Sequence, residues 1–419
     1  MAIKHWPLGG STASRTYHCP AWAALQRESF GGKAAPDNTN SAATRGTFLH
    51  DALQWFIENN TPCMLGSAET YLQSNDTHKH PRPLVALDVK TLDQGVAIMV
   101  EKLGPVVDWL SEYVGTSECE IHCELDFSAK FSEHVGGTSD VSIWFPNDKH
   151  LVTLDYKSGD GELKKVGETL SGDWTDIECQ TVFYSALALD SNQEWAAKAE
   201  KVTMGVLHAW RGQFVPSTLT LTYEEFENAW FDHLLPAFQS AAAQYEASKP
   251  DMSTAKPGPH CHYCHNLPFC SAASQAVSKA VRLNVPAAKQ LAAILSVVDL
   301  MEKQAAAARK LALDSMMGGT DIEGFKIVKT QTKRVWDDAA LAMSDCKGAL
   351  GMEGVKPAPA EQPLTPKQFF DACSKVGIEF DATKNIKNLD SFKVVPQSDK
   401  RQAHIAITAM ADALGQLKR

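Results

Sequence analysis

The sequence predicts an α/β protein whose core is a mixed β-sheet flanked by helices. The first observation is a change of hydrophobic period, because residues 46–59 repeat at the helical period whereas residues 121–157 alternate in runs of strand length. The second is the order of elements, since a helix, three strands, a helix and a further strand follow one another. The third is composition: 44% hydrophobic and 21% charged residues are typical of a globular protein.

The chain before the strands is predicted to contain two helices and two loops. Residues 31–45 are rich in small and polar side chains, and residues 66–83 are polar with several Pro and His, so both are predicted loops. Residues 46–59 and 90–114 are predicted helices. His50 falls at the border of the apolar stripe of the first helix, where it can face a site rather than the core.

Three strands are predicted next, because residues 121–129, 136–145 and 151–157 each alternate apolar and polar side chains. The polar segment 146–149 supplies a turn between the last two strands. The remaining predicted elements are a helix at 176–190, strands at 201–210 and 217–222, helices at 223–247 and 286–317, a basic strand at 325–336, a linker at 348–364, a short helix from Thr365 and a last helix at 399–417.

Charge and cysteine content limit the classes of function. The net charge of −10 argues against a wholly basic DNA coat, but not against a nuclease whose metal-binding carboxylates add negative charge. No run approaches the roughly 18 apolar residues of a membrane span, and the start lacks the apolar segment of a signal peptide. We therefore expect a cytoplasmic protein that does not bind membranes, with its ten cysteines reduced, buried or metal-bound.

Two aspartates are expected to converge at one end of the second and third strands. Asp140 and Asp155 are 15 residues apart, a separation at which a hairpin can bring both carboxylates to the same end of the sheet. Oxygen ligands of this kind suit Mg²⁺ or Mn²⁺. Lys157 follows Asp155 by two residues and so lies on the same face, where its ammonium can orient a water molecule and stabilise phosphate charge.

Other polar residues extend this candidate site. His50 can add an imidazole ligand, and Glu124 on the first strand can support the ligands without binding the metal directly. Gln180 and Tyr184 are one helical turn apart, so they share a face from which both can hydrogen-bond a phosphate. A lone Asp-x-Lys sequence is usually a solvated strand end, so the interpretation depends on the ordered set.

These residues resemble the successive motifs of RecB-type nucleases, which belong to the PD-(D/E)XK superfamily. The matching segments are Gly46–His50, Gly137–Asp140, Asp155–Lys157 and Gln180–Tyr184, in the same order and with similar spacing over about residues 11–270. The resemblance implies a restriction-endonuclease-like core in which Lys157 is the catalytic lysine. The metal ligands that it implies are His50, Asp140, Asp155 and the backbone carbonyl of Tyr156, and Gln180 and Tyr184 match the family's Q-x3-Y element.

The resemblance extends to RecB-like proteins of phages and prophages that were long described only as a domain of unknown function. They share a segment like Ser11–Pro20 and a long C-terminal extension. The resemblance implies a DNA exonuclease of phage recombination or repair that depends on Mg²⁺ or Mn²⁺, with a phage single-strand annealing protein as a partner. The alternative is a catalytically inactive DNA-binding protein or recombination scaffold on the same fold.

Four cysteines form a second candidate site. Cys261, Cys264 and Cys270 make a C-x2-C-x5-C cluster, and Cys19 lies near the N-terminus. Four thiolates can hold either an iron–sulfur cluster or Zn²⁺, and histidines beside the cluster offer nitrogen ligands for zinc. The set resembles the cysteine centre of AddB-type and CRISPR-adaptation RecB-like nucleases, which implies a 4Fe-4S cluster that ties the two ends of the domain together, with Zn²⁺ as the alternative.

The chain divides into three predicted regions. Residues 1–275 form the nuclease domain with its cysteine centre, and the rest is a mainly helical C-terminal extension. Within that extension, residues 276–347 contain a long helix and a basic strand, and residues 348–419 contain a linker and a small helical region. The basic strand can contact DNA phosphates, although basic residues on an edge strand often serve only to prevent edge pairing.

Overall fold

The structure is a computed structural model of the 419-residue chain. Its residues divide into two compact units, Met1–Met301 and Glu302–Arg419, which are described separately. The structure describes residues 6–29, 41–74, 83–258, 260–261, 264–281, 287–337, 339–351, 355–356, 362–379 and 385–404.

A mixed sheet forms the centre of the first unit, and the described residues contribute five strands to it. The strands are β1 Glu120–Ser128, β2 Gly136–Phe145, β3 His150–Lys157, β4 Lys201–Trp210 and β5 Gln213–Thr222. They lie side by side in chain order, with β4 parallel to β3 and the other three pairs antiparallel. The predicted α/β class with a mixed sheet flanked by helices is therefore confirmed.

Helices flank the sheet and precede and follow it along the chain. Those of the first unit are α1 Ala13–His18, α2 Trp22–Ser29, α3 Ser41–Glu58, α4 Leu65–Gln73, α5 Pro83–Ala86, α6 Leu92–Val114, α7 Asp176–Ser191, α8 Gln193–Lys198, α9 Tyr223–Asn228, α10 Leu235–Glu246 and α11 Ser271–Val281, with a π-helical turn Ala229–Leu234 between α9 and α10. Helix α12, Ala287–Met317, runs across the division between the units. None of the helices in the described ranges is long and apolar enough to cross a membrane.

Two hydrophobic clusters cover the two faces of the sheet. On one face, α3 and α6 pack against the sheet, and Phe48, Leu49 and Phe56 of α3 are fully buried. On the other face, α7 and α10 pack through residues such as Phe183 and Phe238, whose stacked rings have centroids 4.6 Å apart. Each such side chain contributes about 1.5–3 kcal/mol of burial free energy, so α3 and α7 are held firmly on opposite faces.

A reciprocal cap fixes the start of α7. The Thr175 hydroxyl accepts a hydrogen bond from the Glu178 N–H, while the Glu178 carboxylate accepts from the Thr175 N–H at 2.8 Å. The same carboxylate accepts from the N–H and hydroxyl of Ser171, both at 2.5 Å. Because a capped helix start frays little, Gln180 on the next turn is held at a defined position.

Two predicted loops before the sheet are partly wrong. Helix α3 begins at Ser41, so the part of the predicted loop from residue 41 to 45 is helical, and residues 31–40 lie outside the described ranges. Helix α4 occupies much of the second predicted loop because Tyr71 and Leu72 on its inner side pack into the core, which outweighs the polar composition. Residues 75–82 of that loop are not among those described.

The second unit combines a two-stranded ribbon with short helices. The ribbon pairs β6, Phe325–Trp336, with β9, Ile386–Pro396, in antiparallel register. The other elements are α13 Ala339–Leu350, β7 Val355–Lys356, β8 Gln362–Pro363 and α14 Pro366–Lys375.

The prediction of β6 matches the structure, but two later predictions do not. The predicted linker at 348–364 begins inside α13 and contains the paired strands β7 and β8. The predicted last helix at 399–417 is wrong for residues 399–404, which have no helical structure, and its remaining residues fall outside the described ranges.

Candidate active site

Three carboxylates lie side by side on three neighbouring strands, at the point where the pairing of β2 with β3 ends. The β1–β2 register places Glu124 opposite Asp140, because the residue pairs on either side of them are in continuous register. The β2–β3 ladder ends at the pair Val141–Leu154, so Asp140 and Asp155 are the next residues on those two strands. The sheet therefore brings the two predicted aspartates to one end and adds a glutamate beside them.

His50 approaches this end of the sheet from α3. Its Nδ1 atom lies 3.1 Å from Asp140 Oδ1 and 3.5 Å from Glu124 Oε1. The three side chains offer ligand atoms that all lie within 4.8 Å of one another, and among the described residues no other group of His, Cys, Asp or Glu side chains meets that spacing. Glu124, which was expected only to support the ligands, thus stands as near to His50 and Asp140 as a ligand would.

The backbone at Glu124 is unusual for a residue within a strand. Its φ angle is +49°, in the left-handed region that non-glycine residues seldom adopt. Such strain costs about 1–3 kcal/mol and tends to occur at functional sites, where the surrounding structure enforces it. Here the distortion breaks one step of the β1–β2 pairing and accompanies the approach of the Glu124 carboxylate to His50.

Asp155 is buried and is held by one hydrogen bond and one ion pair. Gln180 Nε2 on α7 donates to Asp155 Oδ1 at 2.8 Å, and Lys157 Nζ lies 2.7 Å from Asp155 Oδ2. The Asp155 residue is only 4% exposed, whereas the Lys157 side chain is 31% exposed. The Asp155 carboxylate therefore lies at the buried end of the site. The Lys157 ammonium that it orients reaches solvent, where a substrate can approach.

Tyr156 connects the two aspartates through its backbone. Its N–H donates to Asp140 Oδ2 at 2.6 Å, while its ring is buried on the α3 face of the sheet. Because the N–H and C=O groups of one strand residue point to the same side, the Tyr156 carbonyl also points toward Asp140. The carbonyl that the resemblance implies as a ligand is therefore expected on the Asp140 side of β3.

Tyr184 supports Gln180 from one turn further along α7. Burial raises the pKa of its hydroxyl against a smaller lowering effect of the nearby Gln180 amide, so the hydroxyl stays protonated. The Tyr184 ring fits against two glycines: a Cβ atom on Gly10 would lie 2.3 Å from it and one on Gly137 would lie 2.9 Å away. These close approaches hold the ring in place, so Tyr184 acts on the site through Gln180.

The charges of the site depend on one another. Burial lowers the pKa of His50, but Asp140 and Glu124 outweigh it and raise that pKa to about 10. Burial alone would raise the pKa of Asp140, yet the His50 charge and hydrogen bond bring it below its usual value. Burial raises the pKa of Asp155 to about 6 against the opposing effect of Lys157. Burial disfavours the Lys157 ammonium, but the carboxylates of Asp155 and Asp140 raise its pKa, so it is charged at neutral pH.

These donor atoms fit a hard divalent cation. Carboxylates and an imidazole are ligand types that Mn²⁺ and Mg²⁺ accept, and His50, Glu124 and Asp140 offer them within 4.8 Å of one another, whereas Asp155 lies outside that spacing. In the absence of a cation, His50 Nδ1 carries the proton that bridges Asp140 and Glu124. A cation would have to replace that proton, since a metal ligand must be deprotonated.

We therefore expect the affinity for Mn²⁺ to rise with pH. From about pH 6.5 to 9, log affinity should rise by about one unit per pH unit, because binding displaces the one proton that His50 holds up to its pKa of about 10. Below about pH 6 the slope should steepen toward about two, because Asp155 then also carries a proton. Calorimetric titration in buffers of different ionisation enthalpy measures both the affinity and the protons released.

The control for this prediction is His50→Asn, which cannot hold the extra proton. In that variant the rise between pH 6.5 and 9 should flatten even if binding is weaker. Release of no proton by the unsubstituted protein at pH 7.5 would show that His50 does not bind the cation.

The four predicted cysteines come together at a second place in the first unit. Cys19, Cys261, Cys264 and Cys270 all line one small cavity, although Cys19 is more than two hundred residues from the others in the chain. Among the described residues no three sulfurs lie within 4.8 Å of one another, which is wider than the ~3.8 Å sulfur spacing of a zinc tetrahedron with ~2.3 Å bonds. The described thiols are therefore not gathered as closely as zinc ligands, and the cavity that they line is small, about 20 Å³.

A buried cation, Arg15, accompanies the four thiols. Arg15 lines the same cavity, lies 4.7 Å above the Trp22 ring and has a buried Nε atom without a hydrogen-bond partner. Burial raises the pKa of Cys19 to about 12, so this thiol is neutral until a metal takes its proton. A metal centre with four thiolates carries net negative charge, which fits an unsatisfied guanidinium beside it. The sequence offered this signal, since Arg15 precedes Cys19 by one helical turn.

A family model with the description "Protein of unknown function (DUF2800)" matches residues 5–402. The match takes in nearly the whole 419-residue chain, including both candidate sites. No curated protein matches the sequence. The chain belongs to the DUF2800 family, whose description states no activity.

Proposed function

We propose that the chain is a metal-dependent DNA exonuclease with a PD-(D/E)XK fold of the RecB-like type. It would hydrolyse phosphodiester bonds with Mg²⁺ or Mn²⁺, in phage or prophage recombination or repair. The sequence motifs support this assignment, and so does the mixed sheet whose central strands carry them. A phage single-strand annealing protein is the partner that the resemblance suggests.

One observation carries the proposal. His50, Glu124 and Asp140 converge within ligand distance of one another, and the N–H of Tyr156 ties Asp140 to the strand that carries Asp155 and Lys157. An incidental cluster of acids on a surface would not include a buried carboxylate that accepts a hydrogen bond from an amide side chain. Nor would it include a histidine whose pKa is raised by neighbouring carboxylates. Four separate elements, α3, β1, β2 and β3, supply these side chains.

The residues have distinct roles in this proposal. His50, Glu124, Asp140, Asp155 and the Tyr156 carbonyl hold the cation, which when bound supplies an activated water and a Lewis acid. Lys157, charged and partly exposed, places its ammonium where phosphate charge builds up. Gln180 fixes the orientation of Asp155 through its hydrogen bond. Tyr184, one helical turn further along α7, supports Gln180.

We propose that the four cysteines hold a 4Fe-4S cluster that ties Cys19 to the segment after α10. The convergence of four cysteines on one cavity and the buried Arg15 beside them support a metal centre, and the resemblance favours a cluster over a single zinc ion. Zn²⁺ is the alternative, with His260 as a spare ligand, because His260 lines the cavity and burial lowers its pKa to about 4. In either case the centre would be structural, since none of the proposed active-site residues lines its cavity.

A second candidate function is a catalytically inactive DNA-binding or recombination scaffold on the same fold. The feature that favours a catalyst over this alternative is the Lys157–Asp155 pair, at 2.7 Å beside the histidine and acid cluster. A scaffold needs neither the buried carboxylate nor the strained backbone at Glu124, and both cost stability.

The experiment that tests the proposal is digestion of DNA labelled at either end, with Mg²⁺ or Mn²⁺. We expect the wild-type protein to degrade linear DNA and to leave covalently closed circles intact, as an exonuclease does. Lys157→Ala should reduce the rate by roughly a hundredfold or more, because one charge-stabilising group is lost from the site.

A matched control is Lys130→Ala, which removes an exposed lysine that pairs with Asp190 at 3.0 Å, away from the three carboxylates. That variant should digest DNA at the wild-type rate. Cleavage of closed circles would replace the exonuclease assignment by an endonuclease one. Absence of cleavage by the wild-type protein, with DNA still bound, would favour the scaffold.

A further inference from the structure

The ribbon of β6 and β9 in the second unit is anchored at its two ends and exposed in its middle. At one end Val328 and Val395 are buried. At the other, the Trp336 ring packs 5.6 Å from that of Phe369, and its indole N–H donates to the Leu364 carbonyl at 2.6 Å. Between these anchors, residues 329–334 of β6 and 387–390 of β9 are exposed, so neither side of this span is used for packing.

The exposed span carries a strong positive charge on a chain whose net charge is −10. Strand β6 has four basic and no acidic residues, and β9 has two basic residues and one acidic residue, Asp390. Asp390 lies 2.8 Å from Lys329 and accepts a hydrogen bond from Thr332, so it neutralises one lysine only. The remaining positive charge faces solvent, where it attracts an anionic partner.

The strand alternation places three lysines on one face of the ribbon. Lys387, Leu389 and Lys393 alternate along β9 and point the same way, and Lys333 joins them because it lies opposite Leu389. We call these four residues the lysine face. Lys329 and Asp390 belong to the opposite face, across from Phe392 and Thr332 in the register.

Two members of the lysine face have no anionic partner. Lys387 lies 3.1 Å from Asp337, whereas Lys333 and Lys393 are exposed and make no ion pair with any described residue. Lys387 and Lys393 are six residues apart, about 20 Å along the strand, and exposed Leu389 lies between them. Such a row spans several backbone phosphates, which lie ~3.4 Å of helix rise apart on each strand of duplex DNA.

We infer that the lysine face binds the phosphate backbone of duplex DNA, with the exposed span of the ribbon in or along the major groove. The major groove of B-form DNA admits a two-stranded β-ribbon, whereas the major groove of duplex RNA is too narrow and deep. This inference rests on the proposed function and deepens it. It names a surface that would bind the DNA substrate in addition to the carboxylates that act on it.

The test is DNA binding by the full chain in EDTA, so that no cleavage occurs. Anisotropy of a labelled duplex is measured from about 50 to 200 mM salt for the wild type, for Lys333→Ala/Lys393→Ala and for Lys329→Ala. Each lost phosphate contact lowers the salt slope by about 0.9, so the double variant should lose about 1.8 units of slope and bind on the order of tenfold or more weakly. Lys329→Ala, which removes a lysine already neutralised by Asp390, should bind as the wild type does.

Several results would overturn the inference. These are an unchanged slope in the double variant, an equal loss in Lys329→Ala, binding of duplex RNA as tight as that of duplex DNA, or no DNA binding by the wild type. If the wild type cleaves DNA and the double variant binds normally, this inference is wrong and the nuclease proposal remains. If the double variant lowers the salt slope but the wild type never cleaves DNA, the DNA-binding surface remains and the nuclease proposal is wrong.

Discussion

Asp155→Ala is expected to lower DNA cleavage by roughly 10³-fold while leaving DNA binding within a few fold. Two functions are lost with this carboxylate. It is a proposed oxygen ligand, and it orients Lys157 through the contact of 2.7 Å. Removing it frees the ammonium to turn toward solvent and leaves the Gln180 amide without its acceptor. The rate constant with saturating Mn²⁺ and the Kd for DNA in EDTA measure the two effects separately.

The side chain is buried, so the variant also tests the stability of the protein. An uncompensated Lys157 and an unsatisfied Gln180 amide should together cost about 1–3 kcal/mol. Asp155→Asn keeps an oxygen that can accept from Gln180 and removes only the charge. We expect this second variant to melt closer to the wild type and to be as inactive as Asp155→Ala.

The matched control is Asp148→Ala, in the exposed turn at the opposite end of the same two strands. It removes a carboxylate of equal size and should change neither the rate nor the melting temperature. Cleavage by Asp155→Asn within tenfold of the wild type would remove Asp155 from the site, whatever the behaviour of the control.

The central part of the site could be predicted because short-range rules determine it. Alternation in β2 and β3, with a polar turn between them, is enough to bring Asp140 and Asp155 to one end. The position of Glu124 follows from the register in the same way. Glu124 and Asp140 are equally far in sequence from Ser132, in the connection between β1 and β2, so they lie opposite each other. From the sequence alone Glu124 is expected only to support the ligands, because the longer connection between β1 and β2 leaves its register open.

Other features depend on packing that no local pattern shows. Helix α4 has a polar composition and is helical because Tyr71 and Leu72 find a core on its inner side. Strand β9 alternates weakly and pairs with β6 across nearly fifty intervening residues, so its partner could not be read from its own residues. The positive φ of Glu124 likewise results from tertiary contacts, since glutamate has no preference for that conformation.

Cys264→Ser is expected to have the largest effect on stability, with loss of the bound metal and a fall in Tm of roughly 5–10 °C. The four cysteines join the N-terminal segment to a segment more than two hundred residues later, so the metal closes a long loop. Serine is similar in size, but its hydroxyl is a poor ligand for iron or zinc, so the change isolates ligation from packing. Arg15 would then remain buried without the negative charge that offsets it.

Cys119→Ser is the matched control, because Cys119 is about as exposed as Cys264 and packs beside the other face of the sheet, away from the cavity. It should keep full metal content and the wild-type Tm. Iron, acid-labile sulfide and zinc are measured on protein purified without oxygen, together with thermal melting. Four irons per chain, lost in Cys264→Ser alone, would establish the cluster, and one zinc would establish the alternative.

A Cys264→Ser protein with full metal content and a normal Tm would rule out both metal centres. The cavity would then be a simple packing defect, and the buried Arg15 would need another anion. The result also bears on the nuclease, because the cysteine site lies apart from His50 and Asp155. A variant that loses its metal but, below its melting temperature, still releases a proton on binding Mn²⁺ would show that the two sites work independently, with the cysteines serving the fold alone.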